Sequence, residues 1–137
     1  MRELENIDWT KILHKLSSYA TSEQCRLNLE EILPLKSAEA AVQQFAVTSE
    51  CQSVLSLGER PYMESLDLYS TWFNRIQKNA VLKTIELKDV RRFCIEVIAL
   101  DEVIRPFDSK WLEEQKSKLM DATGPLSAID HLMTSAC

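Results

Sequence analysis

Apolar residues along this chain recur at helical rather than strand intervals. Trp9, Ile12, Leu13, Leu16 and Tyr19 follow one face of a helix, with Lys11, His14 and Lys15 on the other. Asp8 is a good N-cap for it, and Ile7 and Ile12 are placed for a hydrophobic staple. Thr21 and Gln24 have capping-box spacing, so a second helix starts directly afterwards. Cys25, Leu29 and Ile32 form its inward stripe, and Pro34 stops it by barring helical continuation. The two helices thus meet at a corner held by caps.

Ser37 introduces a third helix running to about Leu57, ended by Gly58, the residue best suited to a left-handed terminus. Its stripe of Val42, Phe45, Ser49 and Leu55 is weaker. The stretch GERPYMES reads as a loop. A fourth helix carries Tyr69, Trp72, Phe73 and Ile76 at i, i+3, i+4 and i+7. KNAVLKT breaks that pattern and reads as a short extended link.

Thr84 or Lys83 caps a fifth helix bearing Val90, Phe93, Cys94, Val97, Leu100 and Ile104, closed by Pro106. Ser109 caps a sixth with Trp111, Leu112, Leu119 and Met120, ended by Thr-Gly-Pro. Ser127 caps the last segment, with Asp130 at its third position and Ile129, Leu132, Met133 and Ala136 in register. The pattern predicts an all-α, bundle-like architecture of about six or seven helices joined by short capped links, residues 1–137 forming one helical domain. The last amphipathic stretch is unfinished where the chain ends, which leads to the expectation of a longer parent protein.

Composition supports the helical reading. The 137 residues include only two glycines and four prolines, too few for the many turns of a strand-rich fold. Apolar content of 45% suits a domain with a real core. The start MRELENIDW lacks the apolar centre of a signal peptide, and no apolar run has membrane-spanning length. The cytoplasm is therefore the expected compartment, with no membrane partner. Cys25, Cys51, Cys94 and Cys137 have no ligand-like spacing. Without an export signal they read as small buried hydrophobes rather than a disulfide set.

Few residues are spaced for chemistry. Gly58 and Gly124 are far apart and neither precedes a lysine, so the chain carries no phosphate-cradling glycine loop and no nucleotide hydrolysis of its own. His14, beside two lysines, reads as a surface residue, and His131 forms no motif. The expectation is a non-enzyme with no catalytic residue, cofactor or metal. The aromatic set Tyr69, Trp72 and Phe73 could stack bases but at helical spacing reads as core.

One charge feature stands out. Arg75, Lys78, Lys83, Lys88, Arg91 and Arg92 face only two acids, Glu86 and Asp89, in the same window, a balance of +4 in a chain of net charge −5. These six are the candidate nucleic-acid contacts. The plainer reading is a solvated helix surface with favourable charge at a helix C-terminus.

The stretch LENIDWTKILHKLSSYATSEQCRLNLEEILPLKSAEAAVQQF resembles the opening of the second bacterial branch of MutS-like proteins. That branch has an aromatic-plus-Lys-Ile-Leu helix, a "YA-S/T" corner, a helix ending in Leu-x-Pro, and a helix introduced by Ser or Thr. AVLKTIELKDVRRF is similar to a second stretch of that family, and Ala128–Asp130 to a third. The resemblance covers roughly residues 4–105. It departs where the family has glycine before Val-Leu and this chain has Asn79-Ala80, and where Lys83 precedes the cap.

The resemblance implies a non-catalytic N-terminal core and lever region. Its parent protein would be a homodimer with clamp and ATPase domains, taking ATP and magnesium there, and often a nuclease domain. The parent would act on branched DNA in suppressing recombination, or on stalled ribosomes. The partners of this chain would be the rest of the same polypeptide. That reading predicts exposed apolar surface near Ile129, Leu132 and Met133. The alternative from the residues alone is a free-standing helical adaptor that takes a protein partner in an apolar groove.

Overall fold

The computed structural model describes residues 2–60 and 62–135, with side chains from Asp8 onward. Among these the chain is all α, as the periodicity predicts, with no strand. The elements are α1 (Arg2–Ser17), α2 (Glu23–Glu30), α3 (Ala38–Leu55), a 3-10 turn (Glu64–Asp67), α4 (Tyr69–Gln77), α5 (Thr84–Ile104), α6 (Lys110–Lys118) and α7 (Thr123–Ser135).

The longest helix, α5, organises the packing, touching the 3-10 turn, α4, α6 and α7. Its Val90, Cys94 and Val97 form the main core with Trp72 of α4, Ile129 of α7 and Ala122 just before α7. Tyr69, Phe73 and Phe93 seal its edge. Tyr69 stacks on Phe73 with ring centroids 4.7 Å apart, and Trp72 meets Phe93 edge-on at 5.3 Å. The aromatic stripe is therefore core, its rings occupied with one another. A second, smaller core joins Val54 of α3, Ile104 of α5 and Leu112 of α6.

Caps decide the boundaries, and several differ from the sequence expectation. Helix α1 begins at Arg2, so Asp8 lies inside it. The segment Glu3-Leu4-Glu5 has good helix formers with acids near the positive end of the helix dipole, and nothing there halts propagation. The side chain of Ile7, one half of the expected staple, lies outside the described residues; Ile12, the other half, is exposed.

Ser22, not Thr21, caps α2: its backbone is extended and its Oγ accepts from Cys25 N at 3.1 Å. Gln24 turns instead to Asn28, donating to Oδ1 at 3.1 Å. Helix α7 starts at Thr123, so Ser127 is interior and Thr-Gly-Pro opens α7 rather than closing α6. Pro125 in the first turn removes an amide that would have had no helical acceptor. Asp121 Oδ1 accepts from Thr123 N at 3.0 Å and Oγ1 at 2.6 Å, which holds its carboxyl below the usual range.

Other boundaries match. Ser37 caps α3 by accepting from Ala40 N at 3.1 Å, and Gly58 takes φ +80° after that helix. Asn79 takes φ +55° at the end of α4. Asn79 N donates to Ile76 O at 3.0 Å and Ala80 N to Arg75 O at 2.9 Å, the paired bonds of a Schellman ending. Asparagine thus does the conformational work of the glycine expected in this link, since it tolerates the left-handed region better than other non-glycine residues.

Helix α3 is the main departure in packing. Its chief contact is α6, and Val54 is its one buried residue. Val42 and Phe45, expected to face inward, are 70% and 75% exposed, and Leu55 is exposed as well. No other described element comes alongside the first half of α3 to cover them. Similarly, Cys25 and Ile32 of the expected α2 stripe are exposed and Leu29 is half-buried.

Candidate interaction site

The six basic residues lie where α4 ends and α5 begins. Arg75 is on α4, Lys78 and Lys83 flank the link, and Lys88, Arg91 and Arg92 are on α5. The arginines act as braces. Arg75 Nε lies 2.7 Å from Glu86 Oε2, and the buried Glu86 accepts at Oε1 from Lys83 N at 3.0 Å, closing the first turn of α5. Arg91 Nε meets Asp130 at 2.6 Å and ties α5 to α7. Arg92 meets Glu64 at 2.6 Å and Glu96 at 3.3 Å, the first of which pushes the guanidinium further into its charged form.

Glu96 is buried in the α5 stripe. Its Oε2 accepts from Ser65 N at 3.0 Å and from Ser65 Oγ, fastening the 3-10 turn to α5. The described structure therefore divides the window. Three arginines are committed to carboxylates, and Lys78, Lys83 and Lys88 point their charge to solvent with no carboxylate within ion-pair distance among the described residues. A buried, satisfied carboxylate such as Glu96 leaves one sequence signal, a charge inside an apolar stripe. Glu86 leaves another, an acid three residues after the N-cap Lys83.

His14 and His131 are exposed, and among the described residues no group of three or more His, Cys, Asp or Glu is placed to hold a metal ion. Of the cysteines expected to be buried, Cys94 is 2% exposed, Cys51 is half-buried and Cys25 is exposed. Cys25 departs because the α2 face that carries it has no covering element. Cys137 lies outside the described residues. Burial pushes the Cys94 and Cys51 thiols up, and the neighbouring charge of Glu50 adds to the effect at Cys51. Both are thereby poor nucleophiles at neutral pH.

An apolar concavity lies elsewhere. A groove of about 510 Å³ opens between the α1–α2 corner, α3, the end of α5 and α6. Its floor is the second core, with Val54, Ile104 and Leu112; Leu55, Leu100, Trp111 and Leu119 line its walls, and Cys25 and Cys51 border it. Tyr19, Ala20 and Thr21 of the corner overhang one side, with Arg60 beside them donating from Nη2 to Tyr19 O at 2.6 Å. On the outer side of the same corner, a depression of about 470 Å³ shares Tyr19, Thr21 and Arg60 and is lined by polar groups including Glu64.

Two carboxylates from distant sequence hold the groove's walls. Asp67 accepts from Glu23 N at 3.2 Å and Gln24 N at 3.1 Å, so the first amides of α2 are met by the 3-10 turn. Glu50 of α3 accepts from Trp111 N at 3.3 Å and Leu112 N at 2.9 Å at the start of α6. Partial burial works against the charge of Glu50, but the amides of Leu112 and Trp111 and the Ser109 hydroxyl hold its carboxyl below the usual range. Neither residue could be found from sequence, because their partners lie 43 and 62 residues away.

Exposed apolar surface does not gather at the C-terminal segment as the longer-parent reading predicts. Ile129 is buried and Met133 packs half-buried against the main core; Leu132 alone of the three is exposed. Exposed apolar side chains are most numerous on the first three helices, at Ile12, Leu16, Leu27, Val42, Phe45 and Leu55, and others stand at Ile76 of α4, Val81 of the link, and Ile85 and Ile95 of α5. Helix α7 finds its partner in α5, whereas α3 finds little within this chain.

Comparison with known proteins finds no family model, no curated protein and no solved structure that matches this chain. No helix among the described residues is long and apolar enough to cross a membrane.

Proposed function

We propose that this chain is the non-catalytic helical core and lever module of a MutS-like, DNA-binding ATPase. It would couple ATP-driven change to branched nucleic acid held by other parts of the parent protein, in suppressing recombination or rescuing ribosomes. ATP and magnesium belong to the parent's ATPase domain, dimerisation to the parent, and the expected compartment is the cytoplasm. The observation that carries the reading is the unequal closure of the molecule. Apolar side chains stand exposed along α1, α2 and α3, as suits a module that completes its packing against other domains, although of the exposure expected near Ile129, Leu132 and Met133 only Leu132 is found. The sequence resemblance supplies the family. Two of its stretches fall on structurally specified features: the capped α1–α2 corner, and the α4–α5 link in which Asn79 takes a glycine-like conformation.

A second reading, a free-standing adaptor, is favoured by the apolar groove. Sequencing the genomic reading frame past Cys137 separates the two. A downstream glycine-rich phosphate loop supports the ATPase module; an immediate stop codon sinks it and leaves the adaptor.

Direct nucleic-acid contact falls to Lys78, Lys83 and Lys88, since the arginines of the window are held by carboxylates. Replacing all three lysines by Glu should weaken binding to a four-way DNA junction and flatten its salt dependence by up to about three counterions' worth of slope. An unchanged slope removes the window as a DNA contact.

A further inference from the structure

The apolar groove carries a charge pattern of its own. Arg60 and Lys118 are the ionised residues that line it, both are cationic, and the chain as a whole is at −5. Arg60 is held at the mouth by its bond to Tyr19 O at 2.6 Å. Lys118 stands 3.6 Å from Glu114, a longer and looser pair than the 2.6 Å arginine braces of Arg91 and Arg92, so its ammonium keeps donors for a ligand. The nearby carboxylate of Glu50 is turned to the amides of α6.

Length matters as much as sign. The α6 wall runs from Trp111 to Lys118, about 10 Å at helical rise. An amphipathic helix sets its anchors at i, i+3 or i+4, and i+7 over about 10 Å.

We propose that this groove receives an amphipathic helix of a protein partner whose apolar stripe is flanked by Asp or Glu. The apolar side chains fill the trough over Val54, Ile104 and Leu112, and the carboxylates meet Arg60 and Lys118. The site lies apart from the basic window and does not depend on which parent protein carries this module.

The test uses two synthetic probes, a helical peptide of roughly 18 residues with a leucine stripe flanked by glutamates, and its counterpart with lysines in their place. The chain should bind the acidic peptide at least about tenfold more tightly at low salt, with the gap closing as salt rises. Arg60→Glu with Lys118→Glu should reverse the preference, and Leu55→Asp, at an already exposed position, should abolish binding of both. Bound acidic peptide should slow alkylation of Cys25, the exposed thiol at the groove's border, read by mass spectrometry of the digested chain. Equal affinity for the two peptides, a charge reversal without effect, or undiminished labelling of Cys25 overturns the proposal. So does sedimentation showing that a second copy of the chain occupies the groove. Circular dichroism of each variant separates a lost site from a lost fold.

Discussion

The half of the molecule built on α4, α5 and α7 and the half built on α1, α2 and α3 use similar amounts of apolar sequence to different ends. In the first, α5 is flanked by neighbours, and its stripe of Val90, Cys94 and Val97 vanishes beneath Trp72 and Ile129. Arginine–carboxylate braces then tie the periphery, as Arg91 does to Asp130. In the second, α1 packs chiefly on α2, α3 touches chiefly α6, and residues as large as Phe45 stand in water. The lesson is that helical periodicity reports which face is apolar, while burial depends on whether the chain brings anything to it.

The widest separation between the halves should appear on truncating an aromatic in each. Trp72→Ala should cost about 3–5 kcal/mol in urea unfolding, because the ring is 5% exposed and leaves a cavity among packed neighbours. Phe45→Ala should change stability by less than about 0.5 kcal/mol. Comparable losses would mean that α3 is covered in solution and would erase the distinction.

A smaller effect is expected at the clip between the halves. Asp67→Ala strips the acceptor from two α2 amides and should cost about 1 kcal/mol. The loss should be local: hydrogen exchange at Glu23 and Gln24 should quicken while the α5 amides stay protected. Uniform acceleration would show that α1 and α2 unfold only with the whole.

The mildest expectation concerns pH. Glu50 has its folded-state pKa lowered by the α6 amides, so its stabilisation is complete above the ordinary carboxylate range and is lost as pH falls through the depressed value. Glu50→Gln should lower the melting temperature at pH 7, and its difference from the wild type should shrink in acid. A difference that does not vary with pH would mean that shape, not charge, seats α6 on α3.

Much of this architecture was legible because its signals are local. Gly58, Pro106 and Ser37 mark ends that the structure respects, since each acts through its own backbone or the next turn, whereas α2 stops at Glu30, short of Pro34, and leaves Ile32 outside the helix. Asp8, Thr21 and Ser127 misled for the same reason. Each is a competent cap by type, but Arg2–Ser17 propagates past one, Ser22 sits better beside another, and Asp121 starts α7 before the third. The groove was illegible as a site because its walls come from four separated stretches joined by Asp67 and Glu50. The basic window was visible as composition, but its division into bracing arginines and free lysines depends on Glu64, Glu96 and Asp130, two of them outside any local pattern.

The placement of Asp67 has a mechanical consequence. One carboxylate grips two consecutive amides, so both bonds stretch together if the corner is pulled from the 3-10 turn, and hydrogen bonds weaken steeply with misalignment. The same short turn is fastened to α5 through Ser65 and Glu96, so the first turn of α2 reaches the longest helix through two carboxylates set on opposite sides of four residues.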